Sequence, residues 1–155
     1  MAGFADLAIA RALHVLAVVL WIGGVAMVTA VVIPAARAAR DPAMFERVER
    51  RFAAQTRWTI LVAGLSGLYM VERLGLWPRF AMASFWWMHA MVILWLLYAA
   101  ALFVAEPFFL RGRFAARLAR DPDGALRRMQ RHHWGMLAVS LATIAAAVAG
   151  SHGLL

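Results

Sequence analysis

The chain has 155 residues, 65% hydrophobic and 15% charged, with no Cys. Soluble domains are about half apolar and about a quarter charged, so a soluble globular enzyme, a disordered tail and a disulfide scaffold are excluded. The formal charge is +8 and all 16 basic residues are Arg; the lack of Lys excludes Schiff-base and P-loop chemistry, and the lack of Cys excludes thiolate catalysis, thiolate zinc sites and iron–sulfur clusters.

A membrane-crossing helix needs about 20 mostly apolar residues. Val15 to Ala36 meets this without a charge and predicts a first span over 7–34. Its apolar stretch is too long for a signal peptide. A loop over 35–56 follows. Trp58 to Val71, continuing past Glu72-Arg73 to Trp77, predicts a shorter second span over 57–76. Phe80 to Ala105 has only Ser84 and His89 as polar residues and predicts a third over 80–106. After a loop over 107–132, Trp134 to Gly150 predicts a fourth over 133–153. The expected fold is an all-α integral membrane protein, a four-transmembrane-helix bundle forming one domain over 1–155.

Charge sets the expected orientation. Arg37, Arg40, Arg47, Arg50, Arg51 and Arg57 lie between spans one and two. Arg111, Arg113, Arg117, Arg120, Arg127, Arg128 and Arg131 lie between spans three and four. The other side holds only Arg11, Arg73 and Arg79. Cationic loops stay in the cytoplasm, so both termini are expected outside, in a bacterial inner membrane. Arg beside apolar spans reads as topogenic charge, not as nucleic-acid contact.

The two Arg-rich loops echo each other. Arg37-Ala38-Ala39-Arg40-Asp41-Pro42 matches Arg117-Leu118-Ala119-Arg120-Asp121-Pro122. In both, a helix is expected to stop before proline, and Asp to cap a new helix with Pro at its first position. Short amphipathic stretches then lie in the interface before re-entry at Trp58 or Trp134. Two helical hairpins related as an internal repeat are the expected plan, with a ligand at their common axis.

Ionisable residues inside a membrane are costly and mark functional sites. His14 is in span one and His89 in span three, the matched spans of the repeat. Their depths agree to within a few ångströms at about 1.5 Å per residue. Arg11, His14 and Trp21 share a helix face, Trp86 neighbours His89, and Gly23 and Gly24 permit close approach. Two axial imidazoles, apolar walls and nearby Arg suit a b-type haem, with Arg11, Arg73 and Arg79 as propionate partners. Gly64, Ser66 and Gly67 give span two a small face for the ring or for close packing. His152 is a candidate third metal ligand. His132 and His133 read as interfacial, and Glu106-Pro107 as a helix end. Met70, Met82, Met88 and Met91 keep copper as the alternative cofactor, because thioether with imidazole binds copper(I). A third reading is a non-catalytic accessory subunit whose His residues only pack against a larger membrane complex; association into a homo-oligomer is also allowed by the Gly-rich faces. The haem reading calls for electron transfer or redox catalysis with a quinone or a periplasmic redox protein.

Arg11-Ala12-Leu13-His14, followed by Trp21-Ile22-Gly23-Gly24, resembles the first helix of the small membrane protoporphyrinogen oxidases of the HemJ type. It is also similar to the His and Trp-x-Gly-Gly helix of CopD-like copper-resistance proteins. Trp87-Met88-His89-Ala90-Met91 resembles the HemJ-type pattern of Trp, a spacer, often His, and then Lys. The resemblance implies a porphyrin-handling four-helix membrane protein, with His14 matching the family's first-helix His. It does not imply protoporphyrinogen oxidation, because the family Lys corresponds to Met91. The family's proline-containing second-span motif and its fourth-helix Asn-Glu-x-Pro also have no counterpart.

Overall fold

The computed structural model describes residues 2–154; the side chains of residues 2, 3 and 109–111 fall outside the described residues. Every regular element among them is helical. Helix α1 (Ala2–Met27) passes through a π-helical turn (Val28–Val32) into α2 (Ile33–Ala38). Pro34 accounts for the turn. Proline has no N–H to donate, and its ring crowds the carbonyl four residues back. The helix widens just before it, and the Ile33 N–H bonds the Val28 carbonyl five residues back. The Thr29 carbonyl accepts from the Gln130 side-chain amide at 3.2 Å.

Beyond α2, Arg40 adopts φ 52°, and the Asp41 N–H reaches back to the Ala36 carbonyl at 3.0 Å. Glycine favours this position, because a side chain there costs about 1–2 kcal/mol. Glycine's own entropic cost in the unfolded chain, about 0.5–1 kcal/mol, offsets part of that. Arg40→Gly is therefore expected to stabilise the protein by about 0.5–1 kcal/mol. The thermal midpoint in detergent should rise; a fall would show that the Arg40 side chain makes a compensating contact.

Asp41 then caps α3 (Pro42–Arg73), its carboxylate accepting from the Met44 N–H at 3.0 Å. This is the expected Asp-Pro start. The expected break at Trp58 does not occur, since α3 runs unbroken for 32 residues. No Gly or Pro falls between Ala43 and Ala63 to interrupt it. Most of the expected 35–56 loop is therefore helix. Two 3₁₀ turns, Trp77–Ala81 and Ala83–Phe85, precede α4 (Trp86–Ala100). The extended Met82 separates them and delays the helix past the expected residue 80.

The second half repeats the order of the first. Helix α4 widens into a π-helical stretch (Ala101–Leu110) containing Pro107 and continues as α5 (Arg111–Arg120). Glu106 is thus not the helix end that the sequence predicts. Asp121 caps α6 (Pro122–Ser151), accepting from the Gly124 N–H at 2.9 Å. Here too the helix passes through Trp134 without a break.

The long helices pair as two antiparallel hairpins. α3 runs beside α1 and α2: Phe45 shares a buried cluster with Ile33 of α2, Phe52 lies on Gly24, and Tyr69 and Arg73 bond Asp6. α6 runs beside α4, with Trp87 against Gly150 and the Tyr98 hydroxyl 3.2 Å from Ser140 Oγ. The hairpins meet at a central cluster that includes Trp21, Ile60, Leu94 and Leu137. Trp21 and Tyr98 stack edge to face there, with centroids 4.8 Å apart. The Trp95 indole N–H donates to the Ile60 carbonyl at 2.9 Å. At the Arg-rich end a second cluster joins Val28, Ile33, Phe45, Leu118 and Leu126. Arg37–Asp123 and Arg57–Glu106 ion pairs, at 2.8 and 2.9 Å, cross between the hairpins nearby.

Large apolar side chains cover the outside, among them Leu16, Val19, Leu65, Ile93 and Val139. Such a surface fits a lipid bilayer and not water. Three helices are long and apolar enough to cross a membrane: Phe4–Ala38, Ala83–Phe108 and Pro122–Ser151. α3 is not among them, because charged residues crowd its first half and Glu72 and Arg73 close it.

Candidate functional site

The site is built around His14, half-buried where α1 faces α3. Its Nδ1 lies 2.9 Å from the Ala63 carbonyl. A carbonyl can only accept, so Nδ1 carries a proton and donates it. Ser66 Oγ stands 3.2 Å from the same nitrogen and donates its own proton to the Val62 carbonyl at 2.5 Å. Gly67 completes the wall: a Cβ there would stand 3.3 Å from His14 Cε1. Ala63, Ser66 and Gly67 recur on one face of α3 at helical spacing, which is why they meet one ring. The small face expected of span two thus receives His14, while Gly64 receives the Trp95 indole.

Among the described residues Nε2 has no hydrogen-bond partner, and it is not among the sealed, unpartnered polar atoms. His14 is therefore an imidazole held from behind at Nδ1, with Nε2 unengaged among the described residues. Metal-ligating histidines are held in this way.

His89 is placed differently. His14 precedes Trp21 by seven residues and His89 precedes Tyr98 by nine, and Trp21 touches Tyr98. The two rings are thus about 10 and 13 Å along their axes from a common contact, as the depth argument expects. Direction is another matter. Nine residues at about 100° each put His89 on the opposite side of α4 from the inward-facing Tyr98. His89 is accordingly exposed, its ring edge-on to Phe80 at 5.3 Å. The two imidazoles share no partner, and the structure does not bring them together.

The other candidates also separate. Arg11 is exposed one turn from His14 on α1. Arg73 is tied with Tyr69 to Asp6, at 3.0 and 2.8 Å. Arg79 lies over the Phe85 ring at 4.8 Å. Trp21 is buried in the central cluster, and among the described residues its indole N–H lacks a partner. Gly24 is covered by Phe52, and Trp86 is exposed. His152 is exposed at the end of α6, with Nδ1 2.8 Å from the Val148 carbonyl. His133 similarly bonds the Met129 carbonyl at 3.0 Å. Of the four Met residues, Met88 is buried, Met70 and Met91 are half-buried and Met82 is exposed.

Sequence reasoning missed Ala63, whose contribution is a backbone carbonyl. It also missed Gln130, which accepts from Arg37 at 3.1 Å while capping Thr29. No local pattern announces either. Among the described residues no group of three or more His, Cys, Asp or Glu is placed to hold a metal ion. No protein-family model matches the chain, and no curated protein or solved structure matches it either.

Proposed function

We propose that the chain is a four-span protein of the bacterial inner membrane, with its Arg-rich end in the cytoplasm, and that it binds a b-type haem through His14. The observation that carries the cofactor reading is the Nδ1–H bond to the Ala63 carbonyl, which fixes the tautomer and leaves Nε2 for iron. The donor set favours haem over a small cation. A structural cation site takes about four protein ligands, whereas iron in a macrocycle takes only one or two.

α1 is apolar enough to span, and α3 lies beside it over its full length. A bilayer that contains α1 therefore contains α3. Thirteen Arg against three set the orientation. The absence of Cys makes single-cysteine labelling clean. Gly153→Cys and Ala39→Cys, both at exposed positions, are expected to react from opposite sides of sealed vesicles; reaction from one side contradicts four spans.

Ala63, Ser66 and Gly67 orient His14 and leave its ring room. Arg11, exposed one turn away, is positioned to offset carboxylate charge near the membrane surface. When bound, haem supplies one-electron redox chemistry, which calls for a quinone or a periplasmic redox protein as partner. His89 faces outward and is not part of the site within one copy. Titrating ferric haem into the detergent-solubilised protein tests the reading. A saturable Soret shift is expected; a linear rise without saturation contradicts it.

A further inference from the structure

The Arg-rich end of α3 and the apolar face below it form one continuous surface. Arg47, Arg51, Trp58, Leu61 and Leu65 recur along α3 in steps of three, four or seven residues, and all are exposed. Arg50 flanks Arg47 and Arg51, and these three arginines line a hollow of about 540 Å³. Arg47 has a partner in Asp41, but the pair is long, 3.3 Å, and well exposed. Arg50 and Arg51 have no ion pair among the described residues. Glu46 and Glu49 are half-buried and lie off this face of the helix. Trp58, 70% exposed, stands where the charge ends and the leucines begin. Trp prefers the boundary between headgroups and acyl chains.

We propose that this face of α3 is a binding site for an anionic phospholipid. The phosphate sits among Arg47, Arg50 and Arg51, and an acyl chain lies along Trp58, Leu61 and Leu65. Guanidinium groups suit the headgroup because they present paired donors to phosphate oxygens. The apolar continuation selects a lipid over a soluble anion. A nucleic acid or an acidic protein would use the arginines but leave the leucine stripe unexplained. The positive-inside bias alone predicts charge anywhere at this end; it does not predict three arginines in line with a leucine stripe. The inference rests on α3 lying in the bilayer.

The test uses the full chain reconstituted in vesicles of equal parts phosphatidylcholine and phosphatidylglycerol. Co-flotation with the vesicles checks insertion separately. Native mass spectrometry of the extracted protein then reads which lipid is retained. About tenfold enrichment of phosphatidylglycerol is expected for the natural chain. The R47Q/R50Q/R51Q variant is expected to lose it, and Arg51→Gln alone to lose part. R113Q/R117Q/R120Q, which removes equal charge from α5, is expected to keep it. The site is overturned if the natural chain floats without preference, or if both triple variants fall equally. Loss of the preference in excess inorganic phosphate would make the occupant a free anion and overturn the lipid.

Discussion

Replacing His14 with alanine is expected to weaken haem retention by at least about 100-fold, while His89→Ala retains haem. The asymmetry follows from geometry. His14 presents an accessible Nε2 with Nδ1 anchored on the Ala63 carbonyl, whereas His89 faces out of the bundle against Phe80. The alanine also deletes the hydrogen bond to α3, a loss of about 0.5–1.5 kcal/mol. That is small beside the roughly 5–15 kcal/mol that holds a folded domain together. The variant should therefore insert and keep its helix content, and haem loss will report the ligand and not the fold. Retention by His14→Ala together with loss by His89→Ala would reverse the assignment.

Two adjacent glycines are expected to respond with opposite signs. A Cβ at Gly23 meets nothing within 4 Å. Gly23→Ala therefore gains only the helix propensity of alanine, about 0.8–1 kcal/mol of stabilisation. A Cβ at Gly24 stands inside the Phe52 ring, with Cζ at 2.7 Å. The half-buried ring seals the α1–α3 seam between the two core clusters. Overpacking of this kind costs about 1–3 kcal/mol for alanine and more for Gly24→Leu. The clash exceeds the propensity gain, so Gly24→Leu should lower the thermal midpoint in detergent by several degrees. Phe52→Ala added to Gly24→Leu should recover part of the loss, because the leucine then fills the vacated space. A Gly24→Leu chain as stable as the natural one would mean that α1 and α3 do not meet there.

The parts of this fold legible in the sequence are the local ones. Asp41-Pro42 and Asp121-Pro122 start α3 and α6 because an Asp cap and a first-turn proline act within a few residues. Spans one, three and four stand out because lipid demands long apolar runs. α3 was harder to read. Its apolar half is short and flanked by charge, and it packs along its neighbour α1. The π-helical segments were marked by Pro34 and Pro107, yet proline alone does not say whether a helix stops or widens. Widening is supported across the bundle by the Gln130 amide on Thr29, 101 positions away. Arg57–Glu106 was hidden in the same way, since its partners are 49 positions apart.

The histidines show the limit most clearly. Their depth followed from residue counting, and the structure keeps it. Their direction depended on which face of α4 turns toward Trp21, a choice that Tyr98 makes. Counting back from Tyr98 places His89 on the far side, but nothing in the sequence singles out Tyr98 as the inward residue. On α3, Ser66 and Gly67 were visible as a small face, while the Ala63 carbonyl that orients His14 belongs to the backbone.

The absorption spectrum of the protein purified from haem-sufficient cells, oxidised and then reduced with dithionite, probes the cofactor directly. The expected result is a Soret band that shifts on reduction, with sharp α and β bands that His14→Ala abolishes. Membrane-inserted protein that is colourless, or that carries copper and no haem, would contradict it.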